Sequence, residues 1–148
     1  MNLHHLHKKN QSEWVFTESE LVDFLFTHLE QYGDPREDIQ ACLDFALERN
    51  GGLGGFVIVA EEDKQILGLT IINHTGMKRY IPSNILVYIA VDNQARGRGI
   101  GRKIMETALP LCQGGVALHV EPDNPAKHLY ENIGFTNKYL EMRWNPQN

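Results

Sequence analysis

Hydrophobic positions in the first third of the chain recur at helical spacing in two successive segments. The first opens with Thr17 and Glu20, spaced as in a capping box, and its apolar residues recur every three or four positions: Leu21, Phe24, Leu25, Leu29 and Tyr32. The second starts at Asp34-Pro35 and stops at Asn50-Gly51, residue types that favour a helix start and a helix end. We predict two helices, preceded by a short strand at residues 14–16.

The middle of the chain changes to continuous apolar runs rich in β-branched residues. These runs occupy residues 56–60, 66–72 and 85–91, and the polar stretch 61–64 separates the first two. Two apolar runs joined by a polar turn predict a hairpin, in which Glu61 and Glu62 belong to a solvated turn. The third run is apolar throughout, as in a strand that is covered on both faces, and we expect it at the centre of the sheet.

The last third of the chain alternates between helix and strand patterns. One apolar stripe predicts a helix that Pro110 limits: Ile100, Ile104, Ala108 and Leu111. Residues 116–120 predict a strand, a second helix runs from Asn124-Pro125 to Gly134, and residues 135–144 predict a last extended element. The order of elements predicts one α/β (α+β) domain over residues 1–148, in which helices flank a mixed, mostly antiparallel sheet with a βαβ crossover.

Length and composition fit this prediction and exclude a membrane protein. The chain has 148 residues, of which 42% are apolar, and no apolar stretch approaches the roughly 18 to 20 residues that span a bilayer. Residues 1–10 lack the apolar block of a secretory signal, so we expect a cytoplasmic location. Cys42 and Cys112 fall in predicted helices and should be reduced, buried thiols, and the histidines at 4, 5 and 7 have no partner at ligand spacing, so no metal is expected.

Charge is distributed unevenly along the chain. Residues 1–63 carry a net charge of −9 and residues 64–148 a net charge of +4. Two interpretations stay open: each surface attracts a ligand of opposite charge, a polyanion and a cation, or the acids simply line exposed helix faces. The acidic total and the absence of a basic stripe with interleaved aromatics argue against nucleic-acid binding.

The strongest chemical signal is the glycine-rich turn that leads from run 85–91 into the helix at Ile100. Glycines at 97, 99 and 101 let a bulky phosphate approach backbone amides, and a helix N-terminus attracts anions. Arg96, Arg98 and Arg102 add positive charge. A dinucleotide-binding turn would need a small residue where Arg102 stands, and the Walker lysine motif is absent, which disfavours a nucleotide enzyme of another class.

Two motifs together resemble the GNAT N-acetyltransferase superfamily. Arg96-x-x-Gly99-x-Gly101 after a strand is similar to the Arg/Gln-x-x-Gly-x-Gly/Ala signature that holds the CoA pyrophosphate in that family. Residues 118–120 and 123–135 resemble the family's next strand and its Asn-x-x-Ala-x-x-Leu-Tyr-x-x-x-Gly-Phe helix. The likeness extends over about residues 55–144, whereas the first 54 residues match in outline only.

The resemblance implies an acyltransferase that moves an acetyl group from acetyl-CoA to a primary amine by direct attack in a ternary complex, without a metal. It assigns the general acid to Tyr130 and suggests His119 as the base, with Tyr88 and His74 as weaker candidates. The implied cofactor-binding residues are the loop members Arg96, Gly97, Arg98, Gly99, Ile100, Gly101 and Arg102, the backbone of the bulged strand at Ile89, Ala90 and Val91, and Asn124.

Several alternatives stay open at this point. The family's Asn position is occupied by Asp123, so Asn124, one residue later, either reaches the pantetheine or caps the helix. Tyr130 and His119 are either catalytic or packed in the core and the sheet. Tyr139, Met142 and Trp144 either finish the core or form a dimer surface, which leaves monomer and homodimer open. The acceptor is a small molecule, a peptide or protein N-terminus or a lysine, and the main rival is a non-catalytic acyl-CoA-binding regulatory module.

Overall fold

The computed structural model describes residues 1–147 and divides into two compact units, one of residues 1–118 and one that begins at His119. The first unit contains all five strands and three α-helices: β1 Asn2–Leu6, α1 Glu18–His28, α2 Arg36–Ala46, β2 Gly55–Glu62, β3 Gln65–His74, β4 Asn84–Val91, α3 Ile100–Ala108 and β5 Val116–Leu118. The second unit contains α4, Ala126–Ile133. No helix within residues 1–147 is both long enough and apolar enough to cross a membrane.

The strands form one mixed sheet in the order β1-β2-β3-β4-β5, antiparallel except for the β4–β5 pair. This confirms the predicted fold class. The central strand is β3, however, so the expectation that residues 85–91 lie at the centre is wrong. Alternate side chains of β4 stay partly exposed, so the strand is not fully covered on both faces as expected.

The first strand is residues 2–6 and not the predicted 14–16. Trp14 instead closes a 3₁₀ turn, where its N–H donates to the Gln11 carbonyl oxygen over 3.2 Å. The strand has no apolar alternation, because two of its five residues are His4 and His5. Its position is determined by pairing with β2, where His4 lies opposite Val59. Backbone pairing across more than 50 residues gives no local signal.

The two helices of the first third form as predicted at their starts but end earlier. Thr17 Oγ1 accepts from the Glu20 N–H, and the Glu20 carboxylate accepts from the Thr17 N–H, which confirms the capping box. Helix α2 ends at Ala46, four residues before Asn50, because Glu48 adopts a left-handed conformation with φ 62° that a helix cannot continue through.

Two hydrophobic layers cover the sheet. Helices α1 and α2 pack on one face through a cluster of buried residues that includes Leu25, Leu43 and Ile71. Helix α3 packs on the other face, and it buries Ile100, Ile104, Met105 and Ala108. Gly68 on β3 admits α3 closely, since a β-carbon there would lie 2.9 Å from Ile104 Cδ1. The helix that follows the glycine loop is therefore anchored directly to the central strand.

Glu61 is a buried strand residue and not part of a solvated turn as predicted. The turn between β2 and β3 is confined to Asp63 and Lys64, both with positive φ, which suits a two-residue hairpin. The Glu61 carboxylate lies 2.9 Å from His4 Nε2 and accepts from the Asn2 side chain and the Lys64 N–H. These hydrogen bonds, above all the one with His4, lower the pKa of Glu61. The carboxylate thus fastens β1 to the hairpin.

The second unit contains one helix and an irregular C-terminal segment. Pro125 precedes α4, and Gly134 ends it with φ 122°, as predicted. Residues 135–147 form neither helix nor strand, so the predicted last element is not a strand. Within this unit, Tyr139, Met142 and Trp144 are exposed by 78%, 91% and 82%.

Candidate active site

A β-bulge interrupts β4 in front of the glycine loop. Tyr88 lies opposite Ile71 and Leu86 opposite Ile72, so Val87 is an extra residue without a partner on β3. A bulge bends a strand and re-aims the backbone that follows it. The family resemblance implied a bulge in this strand, and the structure has one at Val87, just before the predicted backbone site.

After the bulge, every second backbone N–H of β4 faces away from β3. The Asp92 N–H donates to the Leu67 carbonyl oxygen of the β3 side over 2.8 Å, and because successive residues of a strand alternate, the N–H groups of Ile89 and Val91 point to the opposite side. On that side β5 pairs only with Asn84–Leu86 among the described residues. Two amide donors therefore lie along a stretch of β4 that has no neighbouring strand. Ala90, the third predicted backbone position, differs from Ile89 and Val91 because its N–H faces β3. Its side chain is buried.

The glycine loop adopts the geometry of an anion cradle. Gly97 and Gly99 have φ 83° and 73°, left-handed values that favour glycine, and a β-carbon at either position would meet no protein atom within 4 Å. Gly99 is also the N-cap of α3, so the first amides of the helix open onto the same space. A side chain at Gly97 or Gly99 would therefore strain the backbone and would also fill the open space beside the loop.

Three arginines lie in the glycine loop and the first turn of α3. The first turn of the helix has no acidic residue, and its free amides add partial positive charge. Arg96, Arg98 and Arg102 are exposed, and Ile100, the other predicted loop member, is buried at 3% and pins the turn to the sheet. Gly101 lies in the first turn of α3 and is half-buried. This end of the helix suits a diphosphate.

Each of these arginines has a carboxylate partner in the protein. Arg98 lies 3.0 Å from Glu62, Arg96 lies 3.6 Å from Glu30, and Arg102 lies 3.7 Å from Glu106 one helical turn later: the atoms are Nη2–Oε2, Nη2–Oε1 and Nε–Oε2. The first two partners come from distant parts of the chain, and sequence reasoning missed them. No local pattern could have found them, because the pairs span 66 and 36 residues.

The predicted catalytic residues lie in the second unit. Tyr130 on α4 is 7% exposed, its ring meets that of Phe135 edge-on with centroids 6.0 Å apart, and burial raises the pKa of its phenol to about 12. His119 directly follows β5 and is exposed. Asn124 accepts a hydrogen bond from the Ala126 N–H over 2.9 Å, so its side-chain oxygen caps the start of α4.

The two weaker base candidates are engaged elsewhere. The Tyr88 O–H donates to Asp34 Oδ2 over 2.6 Å, and burial together with this bond raises the pKa of Tyr88 far above its ordinary value. With so high a pKa, Tyr88 stays protonated near neutrality and offers no phenolate to act as a base. His74 Nδ1 lies 3.0 Å from Asn84 Oδ1 at the far end of β4 from the loop. Asp34, the acceptor of the Tyr88 hydrogen bond, is an exposed residue before α2 on the α1–α2 side of β4, where the sequence predicted only a helix start.

Comparison with known proteins places this geometry in a family context. Residues 54–137 match the family model of the acetyltransferase (GNAT) domain, a segment that begins before β2 and ends after α4. It includes the bulged strand, the glycine loop and the Tyr130 helix.

Two curated proteins and a solved structure are similar to this chain. N-alpha-acetyltransferase RimI of Mycobacterium tuberculosis is 35% identical over 83 residues, 52% of each chain. A 5-NmdU N-acetyltransferase of Pseudomonas phage PaMx11 is 31% identical over 84 residues, 55% of this chain and 58% of that one. The matches thus span about half the length of these relatives. The structure of aminoglycoside N-acetyltransferase AAC(6')-Iy in complex with CoA has the same fold, with a TM-score of 0.67 at 14% identity over 99% of this chain and 95% of that one.

Proposed function

Because the chain belongs to the GNAT acetyltransferase family, we propose that it transfers an acetyl group from acetyl-CoA to a primary amine by direct attack in a ternary complex. One observation carries the proposal: the glycine cradle at α3 directly follows the part of β4 that β5 does not pair with among the described residues. A cofactor with a diphosphate at one end and an amide-containing arm at the other needs both features.

The residues around the cradle fit coenzyme A. Gly97 and Gly99 have left-handed backbone conformations and no β-carbon, so the space beside them stays open to a phosphate. In this proposal the amides of residues 97–102 and the arginines bind the diphosphate, and the backbone of Ile89 and Val91 holds the pantetheine arm. Acetyl-CoA supplies the activated thioester.

The chemistry needs an oxyanion stabiliser and a base. The Val91 N–H points away from β3, beyond the described β5 pairing, and takes the first role in this proposal. An alkylamine with a pKa near 10.4 is neutral in about one molecule per few thousand at pH 7, which adds roughly 4 to 5 kcal/mol to the barrier. His119 is exposed and takes the proton, directly or through a water.

Tyr130 is the proposed general acid for the departing thiolate. Its support is the family motif and its burial, since a phenol with a pKa of about 12 stays protonated throughout the working range. Replacing Tyr130 by phenylalanine keeps the ring contact with Phe135 and removes only the proton donor. Because a thiolate with a pKa near 8.5 leaves readily, we expect kcat to fall by about tenfold, less than the usual effect of a general acid.

Steady-state kinetics from pH 6 to 10 test this role. The rate of the unmodified protein should rise with pH as the acceptor amine deprotonates and should show no fall up to pH 10, because burial raises the pKa of Tyr130 to about 12. Tyr139→Phe is the matched control, since Tyr139 lies in the same unit and is 78% exposed. Equal kcat values for the two variants would exclude Tyr130 as the acid.

The acceptor is proposed to be cationic before it reacts. Residues 1–63 carry a net charge of −9, and Asp34 extends this charge to the α1–α2 side of β4. An acidic surface raises the local concentration of an ammonium. The relatives are named as an N-alpha-acetyltransferase and a 5-NmdU N-acetyltransferase. A peptide or protein N-terminus, a small molecule and a lysine side chain all fit the same charge.

A thiol-release assay together with calorimetry tests the whole proposal. Acetyl-CoA is titrated alone for binding and is then combined with polyamines, amino acids, nucleobase amines and peptides with free N-termini. Binding with acceptor-dependent release of thiol is the expected result. Binding without turnover for any acceptor would favour a non-catalytic acyl-CoA-binding module, and the absence of binding would remove the donor and the proposal with it.

A further inference from the structure

Two arginines of the glycine loop are neutralised by carboxylates from outside the loop. Arg96 pairs with Glu30, which lies in the 3₁₀ turn Glu30–Tyr32 after α1, and Arg98 pairs with Glu62 at the end of β2. The two acids therefore approach the loop from different layers of the fold. Both meet the guanidinium groups that a bound diphosphate would also meet.

We propose that Glu30 and Glu62 stand in for the cofactor diphosphate on Arg96 and Arg98, and that they set the affinity for CoA by competing with it. This rests on the proposed function, because it takes CoA as the ligand of the loop. In this proposal the carboxylates occupy the two guanidinium groups, and the diphosphate displaces the carboxylates when it binds.

The strength of the pairs suits such an exchange. The side chains of Arg96 and Glu30 are 54% and 40% exposed, and those of Arg98 and Glu62 are 48% and 39% exposed. Ion pairs this exposed are weak, whereas a phosphate accepts two charge-assisted hydrogen bonds from one guanidinium. Each pair opens readily, and each lowers CoA affinity by up to about fivefold.

The exchange also links the cofactor to the helices on the opposite face. Glu30 lies between α1 and α2 and has φ 55°, a left-handed value that is unusual for a residue with a β-carbon. When the diphosphate takes Arg96, this turn loses its tie to the loop. Linkage is reciprocal: a cationic ligand that binds Glu30 strengthens CoA binding by the same factor by which CoA strengthens the binding of that ligand.

Calorimetry on charge-neutralising variants tests the competition. Glu30→Gln and Glu62→Gln keep side-chain size and remove the charge, and Glu13→Gln is the matched control because Glu13 is exposed and has no ion pair with a described residue. We expect each test variant to bind CoA and inorganic pyrophosphate about two- to fivefold more tightly than the unmodified protein. Pantetheine, which has no phosphate, should bind all variants equally.

A double-variant cycle separates direct competition from a general change in field. Glu62 also lies 3.8 Å from the N-terminal amine, so Glu62→Gln is repeated in an Arg98→Ala background, where it should no longer alter CoA affinity. The proposal is overturned if the control variant tightens binding as much as the test variants, or if the gain persists without Arg98. If the unmodified protein binds no CoA, the proposed function fails. If it binds CoA and the variants leave affinity unchanged, only the competition fails.

Discussion

Replacing Gly99 by valine is expected to lower the affinity for CoA at least about tenfold. Gly99 has φ 73° and ψ 20° as the N-cap of α3, and a β-branched residue is strained there by more than about 1 to 2 kcal/mol. The chain relieves this strain by leaving the left-handed region, and the first amides of α3 then no longer open onto the cradle. Each 1.4 kcal/mol of lost interaction is a tenfold loss of affinity, which calorimetry with CoA measures directly.

Gly51→Val is the matched control for this substitution. Gly51 has φ 81°, its β-carbon would also meet nothing within 4 Å, and it lies in the turn between α2 and β2. The two variants should lose similar stability in denaturant, and only Gly99→Val should lose CoA affinity. Equal affinities for the two variants would show that the loop conformation does not matter for binding.

Truncating Ile104 to alanine is expected to reduce the free energy of unfolding by about 2 to 5 kcal/mol. Ile104 is fully buried on α3 and lies directly over Gly68 of the central strand, so the neighbouring glycine offers no side chain to fill the cavity. Domains of this size have a stability of about 5 to 15 kcal/mol, which makes the loss a large part of the total. Denaturant titration, with the slope checked for constancy, measures it.

Two further variants define what burial contributes. Ile104→Val removes one methylene group and should cost about 0.5 to 1.5 kcal/mol. Ile81→Ala makes the same truncation as Ile104→Ala at a side chain that is 45% exposed, and it should change stability by less than about 0.5 kcal/mol. A comparable loss for Ile81→Ala and Ile104→Ala would mean that α3 is not packed on the sheet as described.

The fold and the cradle were largely predictable because their signals are local. The capping box at Thr17 and the glycine that ends α4 depend on residues within one or two helical turns. The cradle follows from a strand, glycines at 97 and 99 and the helix start at Ile100, which occupy consecutive positions. Each of these features could be predicted from the backbone preferences of residues that are close together in the chain.

Predictions that depended on distant partners were wrong or incomplete. Strand β1 was missed because its place comes from pairing with β2, and Glu61 was assigned to a turn because its partner His4 lies 57 residues away. The C-terminal segment has apolar residues that looked like a last strand, and a strand forms only where another backbone accepts its hydrogen bonds.

The sequence by itself determined where the helices start, that two neighbouring strands form a hairpin and that a glycine-rich loop leads into α3, because steric and capping preferences act between near neighbours. The tertiary structure alone decided that β3 is central, that the bulge falls at Val87 and that Glu30 and Glu62 reach the loop arginines. Those features depend on packing and charge between segments that are far apart in the chain, and such contacts exist only once the sheet and its two layers have assembled.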